Sequence, residues 1–204
     1  MMADSDTAIN KSIHMKKLLL LTLIICHFLV AKAQIHFGIR AGYNLSSIIS
    51  SGVLVIDTQQ AKSGFNAGIF SSIPLCNHFS VQPEISYSEQ GSKSNDSLAR
   101  TSYNYLNVPV SIKYQHRSGI FLQTGPQIGS LLNSKYKSQT YSQDLKSVSK
   151  STDFSWVFVA GYKLSTMNLG IDVRYNYGLT NMTTYTDLTA KNSVLQIDLF
   201  YIFK

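Results

Sequence analysis

The stretch from Tyr105 to Gly129 reads YLNVPVSIKYQHRSGIFLQTGPQIG. Apolar Leu106, Val108, Val110, Ile112 and Tyr114 alternate with polar Asn107, Ser111 and Lys113, the two-residue period of a strand with unlike faces. After a break at His116 to Ser118 the period resumes. Ile120, Leu122, Thr124, Pro126 and Ile128 share one face, and Gln123 and Gln127 share the other among glycines. Two amphipathic strands of about ten residues joined by a tight turn are expected here.

Working outward, the same pattern recurs on both sides. Upstream, Phe37, Ile39, Ala41 and Tyr43 oppose His36, Gly38, Arg40, Gly42 and Asn44; a second strand starts at Gly64 with Phe65, Ala67, Ile69 and Ile73. A third sets Phe79, Val81, Pro83, Ile85 and Tyr87 against Ser80, Gln82, Glu84 and Ser86. Downstream, Phe154 to Leu164, Leu169 to Tyr177 and Leu195 to Phe203 repeat the alternation. The connections run long, short, long, short, long, short, long, with Ser-rich or polar stretches at 45–63, 89–102, 133–153 and 178–192 expected to be long loops. Eight amphipathic strands joined this way predict an all-β, eight-stranded antiparallel up-and-down transmembrane β-barrel, with the short turns and both termini on the periplasmic side.

The chain has 204 residues, 44% apolar and 14% charged. Met15-Lys16-Lys17, an apolar run from Leu18 to Val30 and Ala31-Lys32-Ala33 have the layout of a secretory signal peptide at 15–33, cleaved after Ala33. The run is too short for a spanning helix of about 20 apolar residues. Residues 1–14 read as an upstream extension, and 34–204 as the barrel domain. Cys26 is preceded by bulky Ile25, against a lipid-attachment site, so it leaves with the signal; Cys76 then remains alone and no intramolecular disulfide can form. The excess of +7 at pH 7 shrinks on cleavage. Its scattered lysines lack the basic-aromatic clustering of nucleic-acid binders, so no nucleic acid is expected as partner; lipid and lipopolysaccharide are.

A soluble barrel of lipocalin type also alternates faces, but its apolar face points inward. Here that face carries aromatics at both strand ends. Tyr43, Phe65, Tyr87, Tyr103, Trp156, Tyr175 and Tyr177 fall near the outer end, and Phe37, Phe79, Tyr114, Tyr162, Tyr201 and Phe203 near the periplasmic end, as two interfacial girdles. The opposite face holds Arg40, Glu84, Lys113, Asp172, Arg174 and Asp198. An eight-stranded barrel leaves an interior that side chains fill, so these charges are expected to pair into a closed plug; a gated ion pathway through them is the alternative. Pro74, Pro83, Pro109 and Pro126 should mark bulges or unpaired positions, since a closed barrel has no edge to hide a missing donor.

The chain resembles the small outer-membrane β-barrel family of Bacteroidetes, the PorT-like barrels labelled porin family proteins, through GIRAGYNLS (38–46), FSVQPEISYSEQGSK (79–93), YLNVPVSIKY (105–114), GPQIG (125–129), DVRYNYGLTN (172–181) and an aromatic closing strand. The resemblance implies an outer-membrane location in a Gram-negative bacterium and insertion by the barrel-assembly machinery, with a C-terminal aromatic as signal; Lys204 after Phe203 departs slightly from that. Some members resemble type IX secretion components, and no residue here singles out that role.

A lipid A deacylase would need a His, a Ser and a carboxylate facing lipid near the outer rim. His36, His78 and His116 all fall at the periplasmic end, so no enzyme and no cofactor are expected. Cys76, His78 and His116 sit at adjacent turns and invite a zinc reading, but nothing fixes their geometry and they read as turn residues. Function is expected in the outer loops, chiefly LNSKYKSQTYSQDLKSVSK (132–150) with Tyr136 and Tyr141, which suits a glycan, a surface or secretion partner, or lipopolysaccharide phosphates. The functional expectation is an envelope structural or surface-interaction barrel; a narrow channel and a secretion-associated component are the alternatives.

Overall fold

The computed structural model describes residues 35–52, 59–94, 99–164, 166–184 and 188–203. The signal-peptide and extension readings, Lys204, and the tips at 53–58, 95–98 and 185–187 lie outside the described residues.

The strands are β1 (His36–Gly52), β2 (Gln59–Pro74), β3 (Phe79–Ser94), β4 (Ala99–Gln115), β5 (Ile120–Ser138), β6 (Ser142–Asp144), β7 (Thr152–Lys163), β8 (Leu169–Gly178) and β9 (Leu188–Ile202). Apart from β6, each pairs antiparallel with its sequence neighbour; β1 pairs with β9, and the β4–β5 hairpin completes the ring. The result is the closed eight-stranded up-and-down barrel that the alternation predicts. The short β6 lies on the upper half of β5, where Lys135 to Lys137 extend past the reach of β7.

The apolar face points out. Val108, Val110, Ile112 and Leu122 of the central hairpin are exposed at 37, 47, 56 and 58%, while Lys113, Gln123 and Gln127 are buried. This inversion of the usual burial rule is what a lipid solvent demands. Aromatics of the two expected girdles pair on the outer surface, Phe65–Tyr87 (5.3 Å) above and Phe79–Tyr114 (5.2 Å) and Tyr201–Phe203 (5.5 Å) below. Trp156 is tied to the wall through Nε1, which donates to Thr124 Oγ1 at 2.8 Å. Tyr103 does not join the outer girdle. It shares parity with buried Tyr105 and packs inward against the cluster of Tyr105, Leu131 and Met182.

The tight turn falls at 116–119. His116 N donates to Ile120 O (2.9 Å) and Gly119 N to His116 O (3.0 Å); Gly119 has φ +96°, a conformation that a side chain resists, and a Cβ there would also strike Lys163 O.

One expectation about connections is corrected. The stretches at 45–63 and 89–102 expected to be long loops are largely strand, and those at 133–153 and 178–192 are strand in part: β1 runs to Gly52, β2 begins at Gln59, β3 reaches Ser94, β5 reaches Ser138 and β9 starts at Leu188. Strands of 16 to 19 residues exceed the roughly 9–11 that cross the hydrocarbon, so the barrel wall continues past the outer girdle. There water bathes the outside, the apolar period vanishes and the strands no longer show in the sequence. The 132–150 stretch accordingly holds the end of β5, β6 and a short 3-10 turn at Lys146–Val148.

The prolines behave as expected of missing donors. The β2–β3 ladder skips the positions of Gln82 and Pro83, the β3–β4 ladder skips Val108 and Pro109, and the β4–β5 ladder skips Gly125 and Pro126, each without a change of register. Pro74 ends β2. The register shifts lie elsewhere, between Ala61 and Asn66 on β2 and at Asn104/Tyr105, where β5 carries an extra residue.

Candidate functional site

The lumen holds the side chains that the sequence assigns to an interior charge network, and it is built around Arg40. Gly42 opposite Asp198 leaves room for that carboxylate, which a Cβ at Gly42 would strike. Asp172 lies directly across from Asp198 on β8 and β9. Two adjacent carboxylates repel unless a cation sits between them, and Arg40 does so. Its Nη2 donates to Asp172 Oδ2 (2.6 Å) and Oδ1 (2.7 Å) and to Asp198 Oδ2 (2.9 Å), while Nη1 donates to Glu84 Oε2 (2.9 Å). Arg174 clamps Glu84 from β8 with both terminal nitrogens, at 2.9 and 3.2 Å. All five side chains are buried.

From this clasp a hydrogen-bonded column climbs toward the outer end. Asn66 Nδ2 donates to Asp198 Oδ1 and to Asn44 Oδ1, both at 2.7 Å, Gln196 Nε2 donates to Asn44 Oδ1 (2.8 Å), and Asn176 Nδ2 donates to Gln196 Oε1 (3.1 Å). Higher still, Asp153 accepts from Thr180 Oγ1 (2.9 Å) and Asn192 Nδ2 (3.2 Å). Met182, from the β8–β9 connection, is 4% exposed and closes the top against Tyr105 and Leu131. Backbone bonds hold that connection in place: Lys150 N donates to Met182 O at 2.7 Å and Met182 N to Ala190 O at 2.8 Å.

Below the clasp the lumen is aromatic. Phe70, Phe121 and Phe200 form edge-on pairs at 6.2 and 5.6 Å, with Val157, Val159 and Ile202 around them. Each ring lies over a glycine directly across the ladder: Gly38 for Phe70, Gly161 for Phe121, Gly170 for Phe200. A Cβ at any of the three would strike the ring.

Of the six charges assigned to the interior network, Arg40, Glu84, Asp172, Arg174 and Asp198 are brought together, and Lys113 is not. Lys113 is inside, but among the described residues it makes no ion pair; its Nζ lies 4.0 Å from the centroid of Phe121 and 5.5 Å from that of Phe200. The sequence reading missed the aromatic floor, because a Phe that faces inward looks like any apolar strand residue; the signal was its parity with Gln123. It also missed the buried Lys62, paired with Glu89 at 2.6 Å, since Lys62 fell in a stretch read as loop.

Only a void of about 10 Å³ separates Arg40 and Asp172 from the aromatic floor, room for at most about one water. His36, Cys76, His78 and His116 all line a separate cavity at the short-turn end. There His116 Nδ1 accepts from Ser118 N at 3.2 Å and His78 stacks on Tyr114 at 6.0 Å. Among the described residues no three His, Cys, Asp or Glu side chains are grouped to hold a metal ion.

A family model, the outer membrane protein beta-barrel domain, matches residues 31–184. The chain belongs to that family. It is therefore an outer-membrane β-barrel protein, and β9, beyond the matched residues, supplies the closing strand. A comparison with characterised protein sequences returned no significant match. Among solved structures, Neisserial surface protein A is similar in fold, with a TM-score of 0.50, 13% identity and coverage of 82% of this chain and 97% of that one. Ail, the attachment invasion locus protein of Yersinia pestis, in complex with the heparin analogue sucrose octasulfate, matches at a TM-score of 0.47 and 18% identity over 83% of this chain and 99% of its own. OprG from Pseudomonas aeruginosa matches at 0.46 and 12% over 82% and 95%.

Proposed function

We propose that this protein is a non-conducting, non-enzymatic barrel that acts as an envelope structural or surface-interaction protein through its extracellular extension. The observation that supports the reading is the packing of the lumen: a clasp of two arginines and three carboxylates, an aromatic cluster beneath it and buried Met182 above it. With transport closed off, the parts free to meet a partner are the walls above the outer girdle. On β4 and β5, Arg100 faces Lys137 and Ser102 faces Lys135 across the ladder, on the parity of lipid-facing Leu106. Together with Lys62 and Glu89 they line an outward groove of about 270 Å³. Its cations stand where the phosphates of lipopolysaccharide meet water, and we assign them to that contact.

Planar-bilayer recording of the purified protein tests the main reading. The expected record is flat. Steady unitary openings that change with Arg40→Ala would instead make the protein a narrow channel. For the groove, replacing Arg100, Lys135 and Lys137 together by Gln should weaken binding to lipopolysaccharide-containing vesicles, with the loss shrinking as salt is raised; equal binding by the variant removes the assignment. Export with cleavage after Ala33, insertion by the barrel-assembly machinery and a PorT-like place within the family complete the proposal, supported by the sequence features at 15–33 and by the six matching stretches.

A further inference from the structure

At the short-turn end the lumen opens into a blind cavity of about 450 Å³, within the roughly 300–1,000 Å³ of small-molecule sites. Lys113, Arg117 and Lys163 line it together with His36, His78 and His116, and no Asp or Glu is among the lining residues. Higher in the lumen carboxylates outnumber cations: Arg40 and Arg174 face Glu84, Asp172 and Asp198, and buried Asp153 accepts only from Thr180 and Asn192. The short-turn cavity is the reverse, lined by cations with no carboxylate among them.

Lys113 gives the cavity its direction. The residue is 4% exposed, and its ammonium rests on the faces of Phe121 and Phe200. Aromatic faces attract a cation but accept no full ionic hydrogen bond, and a buried ammonium without an anion is costly. Asp172 lies across the small void, beyond ion-pair distance of the ammonium, and both its oxygens already accept from Arg40. Lys113 also lines the short-turn cavity, with Arg117 and Lys163 in the same lining, so an anion there can reach all three.

We propose that this cavity is a binding site for a small, multiply charged oxyanion of the phosphate class entering from the periplasmic side. Lys113 is its buried anchor, Arg117 and Lys163 supply charge at the mouth, and the imidazoles offer further donors. The Phe70–Phe121–Phe200 floor makes it a terminal pocket, so the ligand is held and does not pass through. The inference does not depend on what the outer end binds.

The test is calorimetric titration of the folded barrel in zwitterionic detergent with inorganic pyrophosphate as probe. Saturable binding that weakens with salt is expected. Lys113→Met keeps the aliphatic stem over the rings and should weaken binding by about tenfold or more, the worth of a charge-assisted hydrogen bond. Arg117→Gln, on an exposed turn, should weaken it by a few-fold with the fold intact, and Arg100→Gln at the other end should leave it unchanged. Folding of each variant is checked by heat-modified gel mobility; if Lys113→Met does not fold, the Arg117→Gln, Lys163→Gln double variant decides. No saturable binding, or the same affinity in the folded Lys113 and Arg117 variants as in the parent, overturns the proposal.

Discussion

Arg40 is the side chain on which most of the buried charge depends. Removing it leaves Glu84, Asp172 and Asp198 facing one another with Arg174 reaching only Glu84, and breaking a buried pair by deleting one partner costs about 3–5 kcal/mol. Arg40→Ala should therefore lower the unfolding free energy of the folded barrel in micelles, read from a urea titration, by an amount in that range. Lys113→Met should cost much less, because it removes a contact with rings and strands no carboxylate. If the two variants are equally destabilised, the clasp is not a unit. The difference between these residues was hidden in the sequence. Alternation placed Arg40, Glu84, Lys113, Asp172, Arg174 and Asp198 on one face, and all six are inside, but alternation has no information on height along the barrel. Height is set by strand stagger, and stagger puts Lys113 one layer lower, among the phenylalanines.

The strands show where a two-residue period can be read and where it fails. Between the girdles one face meets lipid and the other meets packed polar side chains, so the pattern is strong and every wall strand was recognised. Beyond the outer girdle both faces are polar, and Glu89 to Ser94 or Ala99 to Asn104 look like loop although they are paired residue by residue. Prolines were legible for a different reason: the missing N–H is a property of the residue itself, and Pro83, Pro109 and Pro126 each fall at a gap in the ladder on one side of their strand. The glycines beneath the inward rings were not legible, because the need for them comes from a neighbour on another strand. Gly161→Val makes that need measurable. The new side chain would meet the Phe121 ring and the Asp172 side chain, and overpacking of this kind costs about 1–3 kcal/mol. The expected result is a lower unfolding midpoint for Gly161→Val that Phe121→Ala in the same chain partly restores; an unchanged midpoint would mean that the ring has room to move.

For the barrel as a whole, closure is distributed over three layers made of different chemistry, and this governs how it can be opened. The Met182 cap is carried by a connection and rests on few contacts, the clasp is held by ion pairs from β1, β3, β8 and β9, and the floor is held by rings from β2, β5 and β9. No two of these layers share a residue, so loss of one leaves the others in place. A Phe121→Ala, Phe200→Ala double variant should widen the short-turn cavity and still give a flat record in planar bilayers, because the Arg40 clasp fills the section above it. Adding Arg40→Ala to that pair removes the floor and the clasp together and should bring the first ion-sized openings, gated only by the Met182 cap. Openings already present in the double variant would show that the rings alone are the seal, and that the clasp, for all its ion pairs, holds the wall in shape without closing it.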